Sequence, residues 1–441
     1  MRELFTGALV PVVSRRMAFL MLLLVVAGSI SCSGDSGDSG DGPGVVPTNT
    51  PEVPAAEPTS IPEPTAVPVV VVIPDPSLLA AIRLALNKPT GDITDLDMLG
   101  LTEFAAPGQG ISDMTGLEYA VNLTSLNLRV NQLSDISIVA GLTNLTYLSL
   151  GGLQILDISA VTGLTNLTEL SMWNTDVIDM SPVSGLTNLE TLGFLGSQIS
   201  DISAVEGLTG LKVLNLTRSL ISDISPVSGL DALETLQLTE NRITDISPVV
   251  SLPQLTKLQL AGNGISDISP VSGLTKLESL NLRGNLIVDI ASVAALSNLS
   301  ELQLFDNQID DISPVSGLMK LRTLRLYQNQ ISDISPVMGL LGLSRLYLSD
   351  NMIVDVSPVA NLTNLTVLHL DGNEIDDLMP VSDLKNLEDL DLQDNRIADI
   401  GDLTGLTNLS LLKLNVNPLS VEAYGVHIPE LQSLGVVVTF E

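Results

Sequence analysis

Leu255-Thr-Lys-Leu258-Gln-Leu260-Ala-Gly-Asn263-Gly-Ile265-Ser-Asp267-Ile268-Ser-Pro-Val271-Ser-Gly273-Leu274-Thr-Lys276 is one copy of a 22-residue unit that recurs along most of the chain. Its first leucine returns at 101, 123, 145, 167, 189, 211, 233, 255, 277, 299, 321, 343, 365 and 387, so 14 complete units follow one another without insertion. A fifteenth starts at Leu409 and runs into a different ending. Positions 1, 4, 6, 11, 14, 17 and 20 of the unit are apolar throughout. Leu-x-x-Leu-x-Leu predicts a short strand that turns positions 4 and 6 inward and positions 3, 5 and 7 outward. Asp-Ile-Ser-Pro-Val predicts a turn or a short 3-10 piece, because the Asp accepts backbone N–H groups and Pro pre-sets φ. The Asn at position 9 is placed to bond backbone groups of adjacent coils. No unit holds a complete core, so the units must stack. Parallel strands about 4.8 Å apart make roughly 15 coils an arc ~70 Å long. The expected fold is an α/β solenoid, with a curved parallel β-sheet on its concave face and turns and 3-10 pieces on its convex face.

Composition agrees with a repeated aliphatic core. Hydrophobic residues make up 45% of the 441 residues and aromatics only 3%. The balance of 19 Lys and Arg against 51 Asp and Glu gives a net charge of −32. Such a surface is unsuited to nucleic acid, whose phosphates need Lys and Arg, and to anionic lipid headgroups. A single cysteine excludes a disulfide framework or a Cys-based metal cluster within the chain. The two histidines, His369 and His427, lie far apart in sequence, which argues against a His-rich metal site or a nucleophilic triad. No nucleophile–base pair and no Gly-rich phosphate loop is visible. The expectation is a non-enzymatic protein with no cofactor and no metal.

Two segments precede the repeats. Arg15-Arg16 followed by Met17 through Ala27 gives a positive region and an apolar run of signal-peptide length, short of the roughly 20 residues of a membrane-spanning helix. Small residues follow, then Cys32, the sole thiol. Residues 33–75 form a Gly/Ser/Asp and then Pro/Thr/Glu/Val tract with seven acidic residues and no Lys or Arg. Such a tract cannot bury enough apolar surface to fold, and its Pro-rich part favours an extended spacer at about 3 Å per residue.

The repeat resembles the 22-residue leucine-rich repeats of the bacterial internalin family and of a eukaryotic phosphatase-regulatory subunit, over residues 101–416. Ile73-Pro-Asp-Pro-Ser-Leu-Leu-Ala-Ala-Ile82 resembles the helical N-terminal cap of such exported proteins, placed at 76–100, with Asp75 capping the helix. Asn417-Pro-Leu-Ser420, His427-Ile-Pro-Glu-Leu431 and Gly435-Val-Val-Val-Thr-Phe440 resemble the matching C-terminal cap, 417–441. Residues 1–32 resemble a bacterial lipoprotein signal, which implies lipidation of Cys32. Ser29 departs from that pattern, where Leu is preferred three residues before the cysteine. Ordinary cleavage that leaves a free Cys32 is the alternative.

Four successive units depart at position 9, with Leu153, Thr175, Ser197 and Ser219 in place of Asn, which predicts a weaker or differently bonded inner turn. Ala291-Ser-Val-Ala-Ala295 lacks the Pro and Gly of its neighbours. Position 13 is Asp in all 14 complete units, from Asp113 to Asp399. Capping of backbone N–H groups explains that column better than Ca²⁺ binding, because one carboxylate per coil is too few oxygens for a hard cation.

Specificity is expected on the concave face, where outward positions vary between units. Phe305 and Tyr327 fall at position 7, Tyr347 and His369 at position 5, with Arg325 and Arg345 at positions 5 and 3 beside them. Trp173 and Tyr147 form a smaller group elsewhere. Aromatics and Arg dominate binding hot spots, although exposed aromatics also simply suit strand surfaces. The signal segment implies export to the cell surface, the capped and unbroken solenoid implies a monomer, and the internalin resemblance implies adhesion or partner binding. The partner would be a protein or glycan on the concave face, with the membrane reached only through an N-terminal lipid anchor. The alternative is an envelope spacer without a specific ligand.

Overall fold

A computed structural model describes residues 67–441. The signal segment, Cys32 and the spacer as far as residue 66 lie outside the described residues.

The repeat produces one 16-stranded parallel sheet whose strands are ordered as they occur in the chain. Strands β1 to β15 each take positions 3–5 of a unit, from Glu103–Ala105 (β1) to Leu411–Lys413 (β15), and β16, Val437–Thr439, closes the series. From β1 to β15, neighbouring strands pair with a constant offset of one unit: Leu258 of β8 (Lys257–Gln259) lies beside Leu280 of β9 (Ser279–Asn281). Because the offset never slips, every outward position becomes a straight column across the sheet. Strands this short have little stability of their own, so the sheet depends on the apolar columns beneath it. Leu255, Leu258, Leu260, Ile265, Ile268, Val271 and Leu274 are all buried, as are their equivalents in other coils. Removing one such leucine typically costs about 2–5 kcal/mol.

Opposite the sheet, each coil makes a 3-10 turn, such as Ser269–Gly273. Its Pro sits in the first two positions, where the missing N–H is no loss. The Asp before it accepts the N–H of the residue two ahead, as Asp267 does from Ser269 at 2.8 Å. The same bond recurs from Asp113, through Thr115, to Asp399, through Gly401. The turn at Ala291–Ala295 forms without Pro or Gly, with Asp289 accepting from Ala291 at 2.7 Å. The Asp therefore suffices to start the turn.

Position 9 joins coil to coil. Asn263 Oδ1 accepts the N–H of Ile243 in the preceding coil, and its Nδ2 donates to Leu238 and Leu260 carbonyls at 3.1 and 3.0 Å. Where Asn is missing, Thr175 and Ser197 hydroxyls bond each other at 3.2 Å, and the buried Ser219 hydroxyl has no hydrogen-bond partner. The same stretch carries the largest fully buried side chain among the described residues, Phe194, at position 6.

Helix α1, Pro76–Ala85, and the short α2, Asp95–Met98, cover the first coil. Asp75 caps α1 by accepting from Ser77 and Leu78 at 2.9 Å each, and its other oxygen accepts from Ser112 of the first repeat at 2.7 Å. Burial opposes its ionisation, but these bonds together hold its carboxyl below the usual range. The spacer drawn to position 75 ends earlier than expected. Val71 and Ile73 are buried in the core, Val70 bridges Thr94, and Val71 donates to the Ile93 carbonyl. The run of valines before Pro74 is therefore an edge segment of the cap, its alternate side chains facing inward. At the far end, α3 (Ile428–Ser433) packs against a π-helical turn (Ala423–His427) and against β16.

Candidate binding face

The strand register sets what the outward columns bring together. In the position-5 column Arg325, Tyr347, His369, Asp391 and Lys413 lie on five adjacent strands, β11 (Thr323–Arg325), β12 (Arg345–Tyr347), β13 (Val367–His369), β14 (Asp389–Asp391) and β15. Position 7, just past each strand, supplies Arg283, Phe305, Tyr327, Ser349 and Asp371 in successive coils.

These side chains contact one another. The Phe305 and Tyr327 rings stack with centroids 4.0 Å apart and planes 17° from parallel. The Arg283 guanidinium lies 5.5 Å from the Phe305 ring centre. Arg325 lies 5.1 Å over Tyr347 and also pairs with Glu301 at 2.7 Å. Tyr347 meets His369 edge-on at 5.0 Å. Each aromatic pair adds about 0.5–1.5 kcal/mol beyond area burial, and each exposed cation–π contact about 0.5–1 kcal/mol. The rings are thus held in place before any partner arrives, which reduces the entropy lost on binding.

Beyond His369 the face turns acidic. His369 Nε2 lies 3.3 Å from Asp389 Oδ2, yet it has no hydrogen-bond partner and no solvent contact. Asp391, only 4% exposed, accepts from Lys413 at 2.7 Å and from Gln393 at 3.0 Å. Ser349 donates to Asp371. Burial raises the Asp371 carboxyl above its ordinary range, the Ser349 bond opposes this, and Asp391 and Asp350 add repulsion. The Asp391 hydrogen bond raises the Lys413 ammonium, and burial raises the Tyr327 phenol. A depression of about 420 Å³ runs between Arg325, Tyr347, His369, Asp371, Asp391 and Lys413.

Of the residues singled out from sequence, Phe305, Tyr327, Tyr347, His369 and Arg325 form this continuous patch. Phe305 is only 9% exposed, so it supports Tyr327 rather than presenting a ring of its own. The Arg345 side chain is exposed and, among the described residues, makes no ion pair, hydrogen bond or ring contact, so it stands apart from the cluster. Trp173 lies elsewhere, folded over Gly151 and Gly152 of the preceding coil, where a β-carbon on Gly151 would meet its indole. His427 packs in the C-terminal cap, 3.5 Å from Asp399. Sequence reasoning missed Arg283 and the Asp371, Asp391 and Lys413 group. The column rule would have found them had charged residues been counted with the aromatics.

The architecture is that of a leucine-rich-repeat protein. Family models described as leucine-rich repeats match residues 121–163, 253–295, 297–337 and 342–386, and others match 209–265 and 383–401. Within that class the chain belongs to the internalin family. It is 37% identical to the crystal structure of an internalin, InlF, from Listeria monocytogenes, with a TM-score of 0.73. That match covers 74% of this chain and 98% of InlF. A leucine-rich-repeat protein of Leptospira interrogans is 26% identical over 78% of this chain and 97% of its own, with a TM-score of 0.72. Internalin H of Listeria monocytogenes is 39% identical over 77 residues, which is 17% of this chain and 14% of that protein. Proteins of this type are in general interaction and adhesion modules rather than enzymes. Among the described residues no helix is long and apolar enough to cross a membrane.

Proposed function

We propose that the chain is an exported binding protein whose concave face docks a protein partner through the patch from Arg283 to Lys413. The observation that supports this most is the interlocked stack of Phe305, Tyr327, Arg325, Tyr347 and His369 in a chain with only 3% aromatics. Its rings and guanidinium are the groups that dominate interface energies, and they are already desolvated against one another. Tyr327 and Tyr347 would lie at the centre. The pair of changes Tyr327→Ala and Tyr347→Ala should cost on the order of 2 kcal/mol of binding or more, about thirtyfold in affinity. Because the rings support each other, the same pair should cost about 1 kcal/mol of stability rather than nothing. Lys257→Ala with Gln259→Ala, on the same face but outside the patch, should leave binding unchanged. The measurement is capture of surface and extracellular proteins by the immobilised chain and its two variants. Equal loss in both variants would remove the patch from the interface, and capture only on a glycan array would make the partner a glycan. A chain that captures nothing would support the spacer reading instead.

We further propose that Cys32 is lipidated and tethers a monomeric arc to the envelope through the Pro-rich spacer. The sole thiol placed directly after the apolar run supports this. Mass spectrometry of the mature N-terminus should show a diacylglyceryl-modified cysteine. An unmodified peptide spanning residues 31–33 would exclude it.

A further inference from the structure

The acidic end of the patch has an arrangement that partner docking does not require. His369, Asp371 and Asp391 each offer one ligand atom, and these three atoms lie within 4.8 Å of one another. The residues are 20 or more positions apart in part, but the register puts His369 and Asp391 side by side on β13 and β14, and Asp371 two residues past His369.

We propose that His369, Asp371 and Asp391 form a three-ligand site for a divalent transition cation of the Zn²⁺ kind. An imidazole with two carboxylates is a borderline donor set suited to Zn²⁺, Mn²⁺, Ni²⁺ or Fe²⁺ rather than to Ca²⁺, which takes six to eight oxygens. Three protein ligands leave at least one coordination position for water or for a group brought from outside.

Two independent features support the assignment. First, His369 Nε2 and Asp389 Oδ1 are both out of water and both lack a hydrogen-bond partner. Orphaned buried polar atoms are rare in folded proteins and mark a missing partner. A cation on the opposite ring nitrogen, Nδ1, would fix the tautomer with its N–H at Nε2, facing Asp389 Oδ2 3.3 Å away, and a carboxylate behind the ring in this way is how metal-bound histidines are usually held. Second, the local charge is unbalanced. Asp350, Asp371, Asp389 and Asp391 gather around one basic group, Lys413, while Arg325 is engaged by Glu301. Lys413 reaches Asp391 at 2.7 Å and serves as the counter-cation. Its side chain is one-third exposed, so it is free to swing into solvent when a divalent ion takes its place. The assignment does not depend on the docking reading: the site would bind its ion with or without a partner on the neighbouring rings.

The test is calorimetric titration of the untagged, chelator-stripped full chain with Zn²⁺, with Cys32→Ser in every variant to remove the thiol. Saturable binding of one ion is expected. His369→Ala, Asp371→Asn and Asp391→Asn should each weaken it at least about tenfold. Lys413→Ala should tighten it, because the competing cation is gone; a purely structural role for these residues would not produce that gain. His427→Ala should leave binding unchanged. Co²⁺ in place of Zn²⁺ should give visible absorption that disappears in His369→Ala. Circular dichroism melting of each variant establishes that it is folded. Should the buried Asp391→Asn not fold, His369→Ala and Lys413→Ala, both at more exposed side chains, carry the test. The proposal is overturned by absence of saturable binding at millimolar Zn²⁺, or by affinity that is unchanged in His369→Ala or lost in His427→Ala.

Discussion

Position 8 of the repeat shows what one residue must do for the coil to turn. In all 15 units this residue has positive φ, from Gly108 at 66° to Val416 at 62°. The left-handed turn ends the strand and carries the next side chain, Asn in most units, back under the sheet. Six of the 15 use Gly, and most others use Asn, Asp, Glu, Gln or Arg. Val130 and Val416 are the exceptions, β-branched residues at 57° and 62°. An L-residue in this region costs roughly 1–2 kcal/mol, and a glycine loses about 0.5–1 kcal/mol more chain entropy on folding than alanine. Val130 is half exposed, so little burial is lost on truncation. Val130→Gly should therefore stabilise the chain by on the order of 0.5 kcal/mol. The converse Gly284→Val, at φ 61°, should destabilise it. Urea midpoints of the two variants check this; a destabilised Val130→Gly would mean that the valine side chain contributes packing the turn needs. The requirement was not legible in the sequence, because glycine holds fewer than half of these positions and the polar substitutes look like ordinary loop residues.

At the scale of the coil, the Asn at position 9 and the Asp at position 13 have different roles, although both were legible as hydrogen-bonding columns. The Asp closes a turn within its own coil and stays exposed, whereas Asn263 closes a ring between two coils through three backbone groups. Leaving buried backbone groups unpaired costs about 1–3 kcal/mol, so Asn263→Ala should cost about 2–3 kcal/mol in chemical denaturation. A loss under about 0.5 kcal/mol would mean that water replaces the amide at no penalty. The sequence also marked a run of four successive units without this Asn, but not how the core answers them. In two of them Met172 and Phe194, both fully buried, replace the position-6 leucine. Likewise the concave cluster was legible where aromatics made it conspicuous. Its metal-ligand half was not, because His369 alone in sequence gives no sign that register places Asp391 beside it. Counting histidines and cysteines tests for sites built from one local motif. A solenoid assembles ligands from successive coils, one unit apart.

Over the whole molecule, the 14 stacked aspartates combine two opposed electrostatic effects. Each carboxylate is stabilised by its own backbone N–H, which lowers Asp135, Asp201, Asp223, Asp267 and Asp333 below the ordinary range. A depressed carboxyl contributes stability above its unfolded pKa and loses it as pH falls through the lower folded value, so the turns should weaken only in strong acid. Against this, the column repels itself at about 5 Å spacing within a chain of net charge −32. Like charges that close are screened by salt over a Debye length of about 10 Å at 0.1 M. The two readings of the column then separate in one experiment. If its carboxylates are turn caps, NaCl raises the melting temperature of the chain, and CaCl₂ at matched ionic strength raises it about as much. Asp267→Ala lowers the melting temperature but leaves both salt responses intact. If instead the column binds Ca²⁺, micromolar to millimolar CaCl₂ stabilises the chain well beyond NaCl, and Asp267→Ala diminishes that excess. The capping geometry predicts the first result, because the outward surface of each turn offers one carboxylate whose first oxygen already accepts an N–H and whose second, in coils such as those of Asp245 and Asp311, accepts a serine hydroxyl. Too few lone pairs are left to replace the oxygen shell of a hard cation.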